Sequence, residues 1–495
     1  MKDINFKLSK LEKGFIIVSL IVYSFLFFTF IYNDILETIG VSVNFWDTLF
    51  SGNLRAFYGQ RWQLTSLGYE KELQAVYDFP IYIVFSIWNF PLWIVKTVSG
   101  IDIMNSVPCL MWGKAILLVF TFLIIVAIYK LCQQLDVDKT YSILACVIFL
   151  TSNLYLSSVI MMSAYDIIPL LFSVLGVTEY IKGNTKRFII CFMCATTLKY
   201  FALLIFIPLY LLKEKNFVKI VGSVLLVMSP VAIFRILIPH ATTITVGSEV
   251  PFSLMDMLKA TDLSGLSSAY MIYYPKELSI GIVHFSLMAY IILFAFSYIL
   301  PADMVEKYKS FPIYFCVLSY SILFVFCFTH PYWILIIMPF VAVLIAVNKD
   351  HVIINLGIDT LLAWGLLIAQ MLKFPWCFDS RLVGGMLLPV MLGSKGTCVS
   401  LNIVSIQNGM NTDMYLGVGN SLFVAGIVLF LMVNNPFVLD KIPKLLAKNE
   451  VMDIKLLLAI RIASGVVIAM VPVILYLLGL HDPDFMWYGI GKTGL

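Results

Sequence analysis

The hydropathy pattern dominates this chain. Apolar runs cover 15–33, 110–130, 140–160, 166–182, 188–198, 200–212, 217–238, 279–299, 311–329, 332–347, 351–372, 421–435 and 456–480, separated by short breaks, several of them basic, and by three longer segments. A helix that crosses a bilayer needs roughly 20 apolar residues at about 1.5 Å rise each. Lipid offers no partner to free backbone groups, so such runs must be helical. The pattern predicts an all-α polytopic membrane protein with about 13 transmembrane helices, outer-face interfacial helices and long outer loops.

Two stretches depart from simple spans. Residues 188–212 carry cations on both flanks, so the stretch must go up and return, yet each leg is too short to cross about 30 Å of hydrocarbon alone. We expect a hairpin of two short helices with Lys199 near its tip. The run 79–98 contains Pro80 and Pro91, which break helices. We expect it to lie as an interfacial or re-entrant piece on the outer side.

Cations orient the spans. Lys2, Lys7, Lys10 and Lys13 precede the first run, and no small-residue cleavage site follows it, since the chain continues Asn33-Asp34-Ile35-Leu36-Glu37. We read an uncleaved first span with a cytoplasmic N-terminus. With these four, 19 of the 33 Lys and Arg fall on the inner side, among them Lys130, Lys139, Lys182, Lys186, Arg187, Lys213, Lys215 and Lys219. Three long segments, at 34–109, 239–278 and 373–420, face outward. Residues 1–495 form one integral membrane domain, which we expect in the plasma (inner) membrane with its active site on the outer face.

Composition narrows the function. Hydrophobic residues make up 61% and charged residues 13%, with a formal net charge of +4. That excludes a soluble enzyme, a disordered chain and a nucleic-acid binder working from a basic surface. No phosphate-binding loop, dinucleotide fingerprint, zinc-protease pair or serine-hydrolase elbow occurs. The five histidines show no metal-ligand pairing. Most of the nine cysteines lie in spans; Cys377 and Cys398 share the third outer segment and form a candidate disulfide if the compartment oxidises. Cys191 and Cys194 read CxxC inside an apolar helix, a weak metal or redox signal.

Candidate chemistry sits at the outer ends of the spans. Over 45–58, Trp46, Phe50, Leu54 and Phe57 fall on one helical stripe, and Asp47, Ser51 and Arg55 on another face. This predicts an amphipathic surface helix. Asp47 on it is either a general base at the mouth of a cavity or an N-terminal charge on a helix capped by Asn44. Asp78, before Phe79-Pro80, is a second-choice acid that also reads as a helix cap. Asp166, Lys199 and Arg235 lie inside or at the edges of spans, where charge is costly unless paired or facing water. An Asp166–Lys199 pair would be either purely structural or a cationic site for a phosphate or sugar. His330-Pro331-Tyr332-Trp333 occupies an outer turn, where an aromatic belt residue is also unremarkable. Lys96, Lys114, Lys373 and Arg461 read as snorkelling side chains with no function.

Taken together, these pieces resemble the GT-C superfamily of polytopic glycosyltransferases, and most nearly its bacterial mannosyltransferase-like branch related to the GPI mannosyltransferases. The likeness rests on Ser163-Ala164-Tyr165-Asp166 followed by Thr197-Leu198-Lys199-Tyr200, on the His330-Pro331-Tyr332 turn, and on Asp47 as an acid soon after the first span. The resemblance implies transfer of a sugar from a polyprenyl-phosphate donor to a glycan, lipid or protein acceptor, with inversion. It implies Asp47 as general base and Lys199, Asp166, His330 and Tyr332 as donor-phosphate or sugar contacts; Arg55, Arg235 and Arg381 are further candidates because a departing phosphate needs cations. No nucleotide cofactor and no nucleic acid are implied. A divalent metal stays open, because a single Asp47 stands where a DxD or paired acid is usual. The chemistry suits these residue types: one carboxylate takes the acceptor proton, and cations offset charge on the departing phosphate. A lipid-sugar flippase or secondary transporter also tolerates broken helices and intramembrane charge. It would favour shorter outer loops and two related halves, and neither is visible in the sequence. An assembly factor without catalysis would tolerate loss of Asp47 and Lys199.

Overall fold

The computed structural model describes residues 9–66, 69–238, 285–301, 308–327, 329–373, 412–439, 442 and 450–477. The helices are α1 (Lys10–Thr29), α2 (Asn33–Phe50), α3 (Phe79–Ser99), α4 (Val107–Gln134), α5 (Lys139–Leu150), α6 (Asn153–Tyr155), α7 (Ile167–Ile181), α8 (Thr185–Leu198), α9 (Leu203–Lys213) and α10 (Phe217–Leu237). They continue as α11 (Phe285–Ile299), α12 (Phe311–Phe326), α13 (Met338–Val347), α14 (Val352–Lys373), α15 (Thr412–Val433) and α16 (Glu450–Leu477). Among the described residues seven helices are long and apolar enough to cross a membrane, or eight if α5 and the segment Asn153–Met161, bent by 43°, count as one. The chain is therefore a multi-pass membrane protein, and its described residues are mostly helical. One antiparallel hairpin, β1 (Trp62–Ser66) with β2 (Tyr69–Leu73), departs from the all-α expectation.

Local chemistry explains where the helices begin. Ser9 and Glu12 form a reciprocal capping box at the start of α1. Asp138, Asn184 and Asn216 cap α5, α8 and α10 with side-chain oxygens. Ion pairs near these turns tie separate elements together: Glu12 to Lys455 on α16, Asp136 to Lys309, and Asp138 to Lys349.

The expected hairpin over 188–212 is present. α8 ends at Leu198 with Lys199 as its cap, a 3-10 turn covers Tyr200–Ala202, and α9 returns. Three expectations need correction. Residues 79–98 are not broken: α3 is one 21-residue helix, with Pro80 in its first turn and Pro91 tolerated inside it. Pro at the first turn loses only an N–H that has no helical partner. Residues 45–58 are not one helix. α2 starts at Asn33 and stops at Phe50, and Gly52, at φ +71°, makes the turn before a separate 3-10 helix, Leu54–Gly59. Asp47, Ser51 and Arg55 therefore do not share a helix face, and Asn44 is mid-helix rather than a cap. Finally, α15 begins at Thr412, inside the segment read as an outer loop.

Two charges read as snorkelling are fully enclosed. Arg461 of α16 is 1% exposed and pairs with Asp359 of α14, which is equally buried. Lys114 of α4 is 0% exposed and is held by backbone carbonyls. α14 and α15 pack so closely that a Cβ on Gly365 would lie 2.7 Å from the carbonyl oxygen of Gly419.

Candidate functional site

Six segments bring ionisable and aromatic side chains together. The centre is the joint after α8. Lys199 is in extended backbone at the end of that helix, and its ammonium pairs with Asp166, whose side chain is 1% exposed. Three rings surround the ammonium at 4.9–5.6 Å: Trp333, Tyr165 and Phe201. Such contacts favour a cation where water is scarce. The second carboxylate oxygen of Asp166 is buried without a hydrogen-bond partner among the described residues.

The approach to Asp166 has unusual backbone. Leu156–Met161 is a π-helical turn, and Ser163 takes a left-handed φ of +53° before the chain turns into α7. The Ala164 N–H reaches back 2.8 Å to the Ser158 carbonyl. π-turns and left-handed non-glycine residues concentrate at functional sites because the surrounding structure must sustain their cost.

Asp34 enters from the first turn of α2 and accepts a hydrogen bond of 2.9 Å from the Tyr332 hydroxyl. Its other oxygen makes no hydrogen bond among the described residues. Tyr332 is buried, stacks on His330 with ring centroids 5.4 Å apart, and lies 6.2 Å from the Tyr32 ring. His330 feels Asp34, Lys199 and Asp166 together. Burial lowers its pKa below the ordinary value, Lys199 adds to that, and the two aspartates oppose it. Tyr77 packs edge-on against Tyr165 at 5.0 Å, and burial with the nearby Asp34 charge pushes its hydroxyl pKa up.

A second polar group lies on the other side of the Lys199–Tyr200 step. Asp78 accepts from Arg235 at 3.0 Å and from the Tyr200 hydroxyl at 3.2 Å, and Arg235 also donates to Tyr200. Asp78 stands at the cap position of α3 but makes no capping bond; its carboxylate is committed to Arg235 instead. A small cleft beside this group is lined by Tyr58, Phe79, Thr197 and Phe234.

The sequence-predicted residues divide accordingly. Asp166, Lys199, His330 and Tyr332 come together; Asp78 and Arg235 form the adjoining pair. Asp47 does not join them. It is half exposed, bonded to Lys96 at 2.7 Å and to the Trp93 indole at 2.7 Å. It lies 13 residues along α2 from Asp34, about 20 Å at helical rise. Lys96 is thus paired rather than snorkelling. Arg55 is exposed on the 3-10 turn after α2. Arg381, Cys377 and Cys398 lie outside the described residues. The sequence reading gives no role to Asp34 and Tyr77, and names Tyr165, Tyr200 and Trp333 only as parts of their motifs. The signal for Asp34 was its place directly after the first span, with Ile35, Leu36 and Ile39 at helical spacing behind it. Among the described residues no three His, Cys, Asp or Glu side chains group to hold a metal ion, and Lys199 already offsets Asp166. No family model, curated protein or solved structure matches this chain.

Proposed function

We propose that the chain is a membrane glycosyltransferase of the GT-C kind, moving a sugar from a polyprenyl-phosphate donor to a glycan, lipid or protein hydroxyl on the outer face of the plasma (inner) membrane. One observation carries the reading. Asp34 has one oxygen held by Tyr332 and, among the described residues, no hydrogen bond to the other, and it meets the same His330–Trp333 turn whose Trp333 ring faces the Lys199 ammonium. The base role expected of Asp47 passes to Asp34, because Asp47 is distant and both its oxygens are engaged.

The chemistry follows from these groups. The acceptor oxygen attacks the anomeric carbon as the bond from that carbon to the phosphate oxygen breaks. Asp34 takes the hydroxyl proton, and the polyprenyl phosphate leaves with the bonding electrons. Lys199 offsets charge growing on that phosphate, in a setting where fixed charges act more strongly than in water. Asp166 fixes Lys199, and the aromatic rings exclude water and offer apolar faces to a sugar. Attack opposite the leaving group gives inversion.

The test is transfer from radiolabelled polyprenyl-phosphate sugars by purified protein. Asp34→Asn is expected to lose roughly 100-fold or more, the usual worth of general-base catalysis, and Asp47→Asn to stay close to wild type. Transfer that survives Asp34→Asn but fails in Asp47→Asn would return the base to Asp47. Scrambling of lipid-linked sugar in liposomes without any transfer would make the protein a flippase.

A further inference from the structure

Lys114 is a buried titratable group that the proposed reaction does not use. All three of its ammonium hydrogens have carbonyl acceptors: Phe27 at 2.6 Å, Phe30, and Ile160 at 3.0 Å. The Phe27 ring lies 4.2 Å from the nitrogen. No carboxylate pairs with it among the described residues. Phe27 and Phe30 belong to the last turn of α1 and its exit, where helix carbonyls have no partner of their own. Phe30 precedes Asp34 by four residues. Ile160 is in the π-turn, six residues before Asp166. The neighbouring Gly113 lets α4 approach α2 closely, because a Cβ there would come within 2.4 Å of the Ile39 side chain.

A single ammonium thus joins the exit of α1, which leads to Asp34, to the π-turn, which leads to Asp166. We propose that Lys114 is a positioning residue that sets the two carboxylates relative to each other. As a role in catalysis this rests on the glycosyltransferase reading; as a clamp it can be judged without it. The rival is a staple that adds stability and nothing else.

Two measurements separate these. Amide hydrogen exchange in wild type and Lys114→Met reports the clamp. We expect exchange to rise about tenfold, equivalent to about 1.4 kcal/mol, in 30–34 and 160–166 together, with α12 and α13 unchanged. Transfer kinetics report positioning. We expect kcat to fall by roughly 100-fold, the cost of about 1 Å of misplacement, with KM for the donor near wild type. If Lys114→Met does not fold, Lys114→Arg takes its place: it keeps the charge but presents a planar fork to three carbonyls. Faster exchange with unchanged kcat would overturn positioning and leave the staple. Exchange that rises in only one of the two segments, or in neither, would overturn the clamp. If wild type transfers nothing, the glycosyltransferase reading fails, and the exchange result alone decides the clamp.

Discussion

The Asp359–Arg461 pair offers a prediction that depends on no assumption about substrate. Both side chains are within 2% of complete burial, and Arg461 also donates to the Ile148 carbonyl at 3.0 Å. The pair therefore joins α14, α16 and the end of α5. Removing one partner strands a charge in a low-dielectric interior. Replacing both removes the desolvation cost along with the attraction. Arg461→Met alone is expected to cost about 3–5 kcal/mol, the usual penalty for an orphaned buried charge, which is more than two orders of magnitude in the folding equilibrium. Asp359→Leu alone leaves the guanidinium unpaired and should cost a similar amount. The double variant should return to within about 1 kcal/mol of wild type, because well-packed apolar replacements of buried pairs are often neutral or better. The assay is reversible unfolding in mixed micelles, read as a double-mutant cycle. Single variants costing under about 1 kcal/mol, or a double variant as costly as the two singles added, would refute the reasoning.

Other predictions follow from the same contacts. Burial holds the folded pKa of His330 below the ordinary 6.5, so folding favours its neutral form. Its contribution is complete above that value and is lost as pH falls through 6.5 toward the folded value; His330→Gln should flatten that part of a stability–pH curve. Gly365→Ala should cost about 1–3 kcal/mol by forcing α14 from α15. Gly417→Ala, where a Cβ meets nothing within 4 Å, should be neutral or slightly stabilising in the same unfolding assay. Lys96→Met should change stability by no more than about 1 kcal/mol, since its pair with Asp47 is solvent-exposed. Arg235→Met should weaken donor binding in a direct binding assay while leaving Lys199 with Asp166.

Hydropathy and charge spacing were enough to read the multi-pass helical class. They were enough also for the short hairpin around Lys199, because a stretch flanked by cations on both sides can satisfy the bilayer in few ways. The Asp166–Lys199 pair was legible for a related reason: both charges fall at the same depth, and an intramembrane charge needs a partner. Depth along a span is written in the sequence. The direction a side chain faces around the helix axis is not, and tertiary packing decides it. Lys114 and Arg461 could equally have reached for the surface; the rotation of α4 and α16 against their neighbours turns both inward, to carbonyls and to Asp359. The same limit applies to the carboxylate at the site. Asp34 and Asp47 share one helix and one side of the first span, and α2 then carries them about 20 Å apart. Only the meeting of α2 with the His330–Trp333 turn, nearly 300 residues away in sequence, puts Asp34 rather than Asp47 on the turn that Lys199 also faces.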